Sequence, residues 1–250
     1  MIAFGGSELD PCYLASTMRC YWFAVTLFVA IPALAQGADP WLVVPGESVG
    51  PITAQAVPAD LARLFGAAKV QDKVGYAGSD AGHEWVTEIN GDNPETTLTV
   101  FWGKYEGKGS HPAATAHPNS IHLCYGNGNV PKACKWHLAN SISFGTSLRE
   151  LERLNGRPFQ LAGFEWDYSG TVTDWNDGHL QETLNSCGQV LIRLQPRYTP
   201  KGWTAQQQKL YQQVMGDDNF ASSNPAMQQL NPVVYSITVK LPETGNCTAN

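Results

Sequence analysis

The clearest periodic signal lies in two short stretches that resemble each other at a fixed offset. Ile52 to Gly66 and Ile142 to Gly156 align without a gap, matching Ile52 with Ile142, Leu61 with Leu151, Arg63 with Arg153, Leu64 with Leu154 and Gly66 with Gly156. Leu148, Leu151 and Leu154 recur every third residue and share one helical face. Ser147-x-x-Glu150 is a capping box that satisfies backbone N–H groups at a helix start. In the first copy Pro58 suits the first helical position and Asp60 complements the positive helix end. Gly66 and Gly156 stop the helices. Each helix is short, so its leucine face must pack on something to be stable.

Strand patterns supply that partner. Thr97–Trp102, Thr171–Trp175, Val190–Leu194 and Val233–Leu241 are rich in β-branched and aromatic residues. Phe164-Glu165-Trp166-Asp167-Tyr168 alternates aromatic and acid with period two, which predicts a strand with its rings in the core and its acids in water. Ser169-Gly170 is a turn, and Asn176-Asp177-Gly178 is a hairpin signal. Gln206–Met215 predicts a further helix, and residues 72–96, 104–120 and 216–232 read as loops. The predicted fold is α+β: two related helix-plus-antiparallel-meander units, residues 36–140 and 141–250, with helices packed on one face of the sheet.

The start of the chain follows a different pattern. Met18-Arg19 precedes an apolar run from Tyr21 to Leu34, and Ala33-Leu34-Ala35 has the small residues of a signal-peptidase site. The run is shorter than the roughly 20 residues a transmembrane helix needs. A leader over 18–35 is therefore expected, with Gln36 as the first mature residue. Residues 1–17 carry Glu8 and Asp10 where a signal needs a cation, so translation is expected to begin at Met18.

Export changes how the cysteines are read. Cys124, Cys134, Cys187 and Cys247 follow the leader, and an even count in an oxidising compartment implies disulfides. Gly126-Asn127-Gly128-Asn129 can turn the chain back between Cys124 and Cys134, which leaves Cys187 with Cys247. His122, Cys124, Cys134 and His137 have the residue types of a zinc site, but zinc needs thiolates that export oxidises. No metal or cofactor is expected. His83-Glu84 lacks the second histidine of a zincin helix, Gly126-x-Gly128 lacks the third glycine of a dinucleotide loop, and Gly-x-Ser-x-Gly is absent.

Charged residues make up 15% of the chain and the net charge is −6. A sparsely charged, acidic surface excludes nucleic acid as a partner. Glu165, Asp167 and Asp174 are the candidate catalytic group, because carboxylate pairs among aromatics cut and grip sugars. Trp166, Tyr168 and Trp175 are the candidate binding residues. Asp174-x-Asn176-Asp177-Gly178 is too short for a calcium loop and lacks its distal Glu.

Trp41–Thr53, Gly145–Gly156 and Phe164–Gly170 resemble a group of uncharacterised exported proteins of Gram-negative bacteria. That resemblance implies export and brings no activity. Where it leads one to expect a small residue after Gly163-Phe164, this chain has Glu165. The Gly145-Thr-Ser start, Leu-rich helix and Gly stop are also similar to the tandem unit of β-lactamase inhibitor protein and of small outer-membrane-assembly lipoproteins, which bind other proteins. The expected function is an exported, non-enzymatic periplasmic or secreted module that binds an envelope protein or polysaccharide. The alternative is a hydrolase of cell-wall or sugar polymer using the carboxylate group.

Overall fold

Antiparallel pairing between near neighbours builds most of the structure. A computed structural model describes residues 39–76, 82–124, 133–185, 189–197 and 202–242. The expected leader, the Gly126–Asn129 turn and the pair Cys187 and Cys247 lie outside those residues.

Three short strands, β1 (Leu42–Val44), β2 (Ser48–Val49) and β3 (Ile52–Thr53), form successive hairpins. Helix α1 (Pro58–Phe65) and a 3-10 turn (Ala67–Lys69) lead into a meander of β4 (Val70–Tyr76), β5 (His83–Ile89), β6 (Leu98–Lys104) and β7 (Ser120–Leu123). Strand β8 (His137–Leu138) returns to pair parallel with β1. Then come α2 (Leu148–Asn155), β9 (Gln160–Ala162), β10 (Val172–Asp174), α3 (His179–Asn185) and β11 (Gln189–Gln195). The remaining elements are α4 (Ala205–Gln212), β12 (Asn219–Ala221), α5 (Pro225–Leu230) and β13 (Val233–Lys240).

The fold is α+β, and the described residues form three sheets, ordered β3-β2-β1-β8, β10-β9-β12 and β11-β13-β7-β6-β5-β4. Residues from Asp39 onward form one compact unit. Among the described residues, no helix is long and apolar enough to cross a membrane.

Local chemistry explains where the helices sit. In α1, Pro58 occupies the first turn and the Val57 N–H donates to Asp60 Oδ2 at 3.0 Å. In α2, Ser147 Oγ accepts from the Glu150 N–H at 3.3 Å. The reciprocal half of the expected capping box gives way to an ion pair, because Glu150 takes both Nε and a terminal nitrogen of Arg153, at 3.0 and 2.7 Å. Glu152 accepts from Ser222 Oγ at 2.6 Å and from Gln228 Nε2 at 3.2 Å, tying α2 to the β12–α5 segment.

The predicted equivalence of the leucine faces holds only in part. Leu61, Leu148 and Leu151 are fully buried, and Leu154 packs partly against the core. Leu64 is 42% exposed. Phe65, four residues after Leu61, takes the inward place and turns Leu64 outward.

Three further readings of the sequence are corrected. Residues 72–96 and 216–232 are not plain loops, since the first holds most of β4 and all of β5, and the second holds β12 and α5. Strand β4 lies at the sheet edge with little of its length buried, so a polar sequence suits it. Asn176-Asp177-Gly178 turns as predicted, with φ of 53° at both Asn176 and Asp177, but it feeds α3 rather than a returning strand. A Cβ on Gly178 would lie 2.1 Å from Asn155 Oδ1, so only glycine fits there. Asn155 is buried and bridges the turn: its Nδ2 donates to the carbonyls of Arg157 and Trp175, each at 2.9 Å, and its Oδ1 accepts from Leu180 N–H at 3.1 Å.

Candidate functional site

Phe164–Tyr168 is a turn and not the alternating strand that its pattern predicts. Only Phe164 faces the core, at 1% exposure, while Trp166 is 61% and Tyr168 68% exposed. The expectation that Trp166 and Tyr168 face inward is therefore overturned.

The cause is tertiary. Phe164 N–H donates to Val214 O at 3.0 Å, and its own carbonyl accepts from Gly216 N–H at 3.1 Å, which pins the segment to the chain after α4. Glu165 then takes φ of 73°, left-handed backbone that a non-glycine residue rarely adopts. From there the chain closes on itself: Glu165 N–H donates to Ser169 Oγ at 3.1 Å, Ser169 N–H to Trp166 O at 2.8 Å and Thr171 N–H to Tyr168 O at 2.8 Å. Gly170 ends the turn so close to β11 that a Cβ there would lie 1.9 Å from Leu194 O.

Side chains brace the turn from beneath. Phe164 stacks on Tyr211 of α4, with ring centroids 5.5 Å apart, and Tyr211 meets the edge of Trp203 at 4.4 Å. The Tyr211 hydroxyl donates to the Glu165 carboxylate. Burial, and then that hydrogen bond, push the Tyr211 hydroxyl above its ordinary titration range. On the other side Arg193 Nε donates to Thr171 Oγ1 at 2.8 Å and its guanidinium also donates to Asp167 O. The aromatic rings of Trp166 and Tyr168 are thus held out to solvent on a fixed base.

The remaining candidates separate. Trp175 is 3% exposed and packs on Phe159 at 5.0 Å, so it belongs to the core rather than to a binding surface. Asp174 is exposed and its Oδ1 accepts from Asn176 N–H at 2.7 Å, which holds the turn into α3. It also lines a groove of about 260 Å³ between β10, α3 and the start of β11, shared with Thr173, Gln181, Asn185 and Gln189. Glu165 and Asp167 do not line it. The structure therefore does not gather the three carboxylates in that groove.

Cys124 and Cys134 form a disulfide, with Cα atoms 6.1 Å apart. The bridge takes up both thiols of the alternative zinc set. His137, the fourth member of that set, pairs with Asp39 Oδ2 at 3.3 Å.

His122 is a residue whose role the sequence did not show. It lies on β7 beside Thr238 of β13, with its ring 4.4 Å from that of Phe101. Burial first, and the nearby Arg193 second, lower its pKa to about 4 from 6.5. The unfolded chain therefore takes a proton near pH 6.5 that the folded chain refuses until about pH 4. Stability contributed by neutral His122 is whole above pH 6.5 and falls as pH drops towards 4, by up to about 3 kcal/mol. Urea unfolding at pH 7 and pH 4.5 should show a smaller acid loss in His122→Gln than in the parent. Equal losses would refute this assignment.

His111 closes the loop after β6 over the sheet edge. Its Nδ1 lies 2.8 Å from Asp72 Oδ2, while Thr87 Oγ1 donates to Asp72 Oδ1 at 2.5 Å and Trp102 Nε1 to Thr87 Oγ1 at 2.7 Å.

Comparison of the chain with protein-family models, with curated proteins and with solved structures found no match.

Proposed function

We propose that this chain is an exported, non-enzymatic periplasmic or secreted protein that binds an envelope protein or polymer through the turn at Trp166 and Tyr168. The observation that carries the reading is the exposure of two large aromatic rings, 61% and 68%, on a turn fixed by Arg193, Tyr211 and Gly170. Trp and Tyr dominate binding hot spots because they offer large contact area at little cost in side-chain freedom. A hydrolase would need two carboxylates placed across one scissile bond. Glu165 is held by Tyr211, and Asp174 holds a backbone turn, so both serve structure first.

The tandem origin of the two halves is part of the same proposal. Ile52 and Ile142 are both fully buried, and each helix begins shortly after them. Gly66 and Gly156 both take positive φ at the helix ends, 90° and 77°. Beyond the helices the neighbours diverge, with α1 lying against β4 and α2 against α3 and α5.

One experiment tests export and binding together. The full chain is expressed in a Gram-negative host, its mature N-terminus is read by mass spectrometry, and its retention on isolated envelope material is measured. Gln36 should be the first residue, and Trp166→Ala/Tyr168→Ala should cut retention about tenfold, the scale of a lost aromatic anchor. An unprocessed chain would refute export, and unchanged retention would refute the binding turn.

A further inference from the structure

The turn and the groove lie on one seam. Thr171 bridges Arg193 in antiparallel fashion, and Leu194 N–H donates to Gly170 O at 2.8 Å, so the chain entering β10 is joined to β11 next to the aromatic turn. β10 and β11 are the outermost strands of their own sheets. Beyond the joined end the groove opens between them. From Arg193 back to Gln189 is four residues of strand, roughly 13 Å.

The lining of the groove is chemically specific. Gln181, Asn185 and Gln189 bring carboxamides and Asp174 brings a carboxylate, while the Thr173 hydroxyl already donates to Asn219 Oδ1 at 3.1 Å. Carboxamides both donate and accept, which suits a ligand carrying many hydroxyl groups. Asn185 Oδ1 is buried and has no hydrogen-bond partner among the described residues. A buried acceptor without a donor is unfavourable to the free protein. At the other end of the seam, Trp166 and Tyr168 offer flat apolar faces flanked by Glu165 and Asp167. The exposed acids of the seam, on a chain whose net charge is −6, disfavour polyanions.

We propose that this seam is a binding site for an uncharged glycan chain, one sugar unit held by the carboxamide groove and later units stacked on Trp166 and Tyr168. The assignment rests on the reading of the aromatic turn as a binding surface, and names its ligand class. The span between the two ends makes the ligand an oligomer rather than a single sugar.

Calorimetric titration of the full chain with neutral gluco- and N-acetylglucosamine oligosaccharides, from disaccharides upward, tests it. A polyanionic saccharide and an extended apolar peptide serve as comparators. Affinity should rise about tenfold or more with chain length, as the second end becomes occupied. Gln181→Ala and Gln189→Ala should each weaken binding of every length, by about tenfold for a lost hydrogen bond to the ligand. Trp166→Ala/Tyr168→Ala should reduce long chains to the affinity of the disaccharide. Asn185→Leu should raise the melting temperature of the free protein, since it removes an unsatisfied acceptor. Absence of binding by every neutral oligosaccharide, no dependence on length, tighter binding of either comparator, or unchanged binding in Gln181→Ala and Gln189→Ala would each overturn the glycan assignment. If envelope retention still depends on Trp166 and Tyr168 in that event, the binding turn stands and only its ligand class falls. If retention is also unchanged, both fall.

Discussion

Leu151→Ala should unfold at a far lower denaturant concentration than the parent, while Leu64→Ala should unfold almost where the parent does. Both leucines sit on short helices and both match in the internal alignment, so sequence alone assigns them the same cost. Burial separates them. Leu151 is fully buried between α2 and the common core, and truncation leaves a cavity as well as removing transferred surface. That combination costs about 2–5 kcal/mol. Leu64 is 42% exposed and loses little contact on truncation, about 1 kcal/mol or less. Against a total stability of about 5–15 kcal/mol, the first loss is severe and the second is small. Urea midpoints at constant slope give the comparison. Equal midpoints for the two variants would show that the helices are packed otherwise than described.

The second large effect is expected at the disulfide. Cys124 directly follows β7 and is 3% exposed, while Cys134 lies just before β8. The bridge therefore fastens the six-stranded sheet to the four-stranded one, and Lys135 N–H to Glu95 O at 2.9 Å reinforces the join. With ten residues of separation, the chain-entropy model gives about 3 kcal/mol. Cys124→Ala/Cys134→Ala should lower the melting temperature by roughly 6–12 °C for a chain of this size. Reduction of the parent should reproduce most of that fall. A melting temperature unchanged by both treatments would mean that the native chain does not depend on the bridge.

Much of the fold was legible where the signal is local. Pro58 and Ser147 mark helix starts because the chemistry of a helix end lies within four residues. The strands at Val190 and Val233 announce themselves by buried alternation. The errors arise where the deciding contact is distant. The alternation of Phe164 to Tyr168 fits a strand, yet Gly163 and Gly170 press against backbone near Gly216 and Leu194, far away in sequence. Those contacts turn the segment and expose its rings. Strand β4 was missed for the opposite reason: an edge strand with little buried face leaves no hydrophobic period to find. Helix α5 did carry a readable signal, with Asn224 capping the N–H groups of Ala226 and Met227 ahead of Pro225, and Asn231 left-handed at its end. The candidate site was legible as residue types and illegible as geometry. Glu165, Trp166 and Tyr168 were named, but their exposure follows from Tyr211 and Arg193, which no local pattern connects to them.

The placement of β13 has a consequence for how the chain reaches this structure. Strand β13 lies between β11 and β7, so the latest of the described strands sits inside the largest of the described sheets. It pairs with β7 through Thr238 and His122, residues more than a hundred positions apart, and with β11 along seven registered pairs. A ribosome that has released everything up to Pro232 has delivered both neighbours and not the strand that joins them. Until then β7 and β11 present open edges, with backbone groups free to pair wrongly. Such long-range closure is slow, because the entropy of bringing distant segments together is lost before the sheet gains its contacts. The nascent chain is thus kept from completing its main sheet until β13 itself has been released.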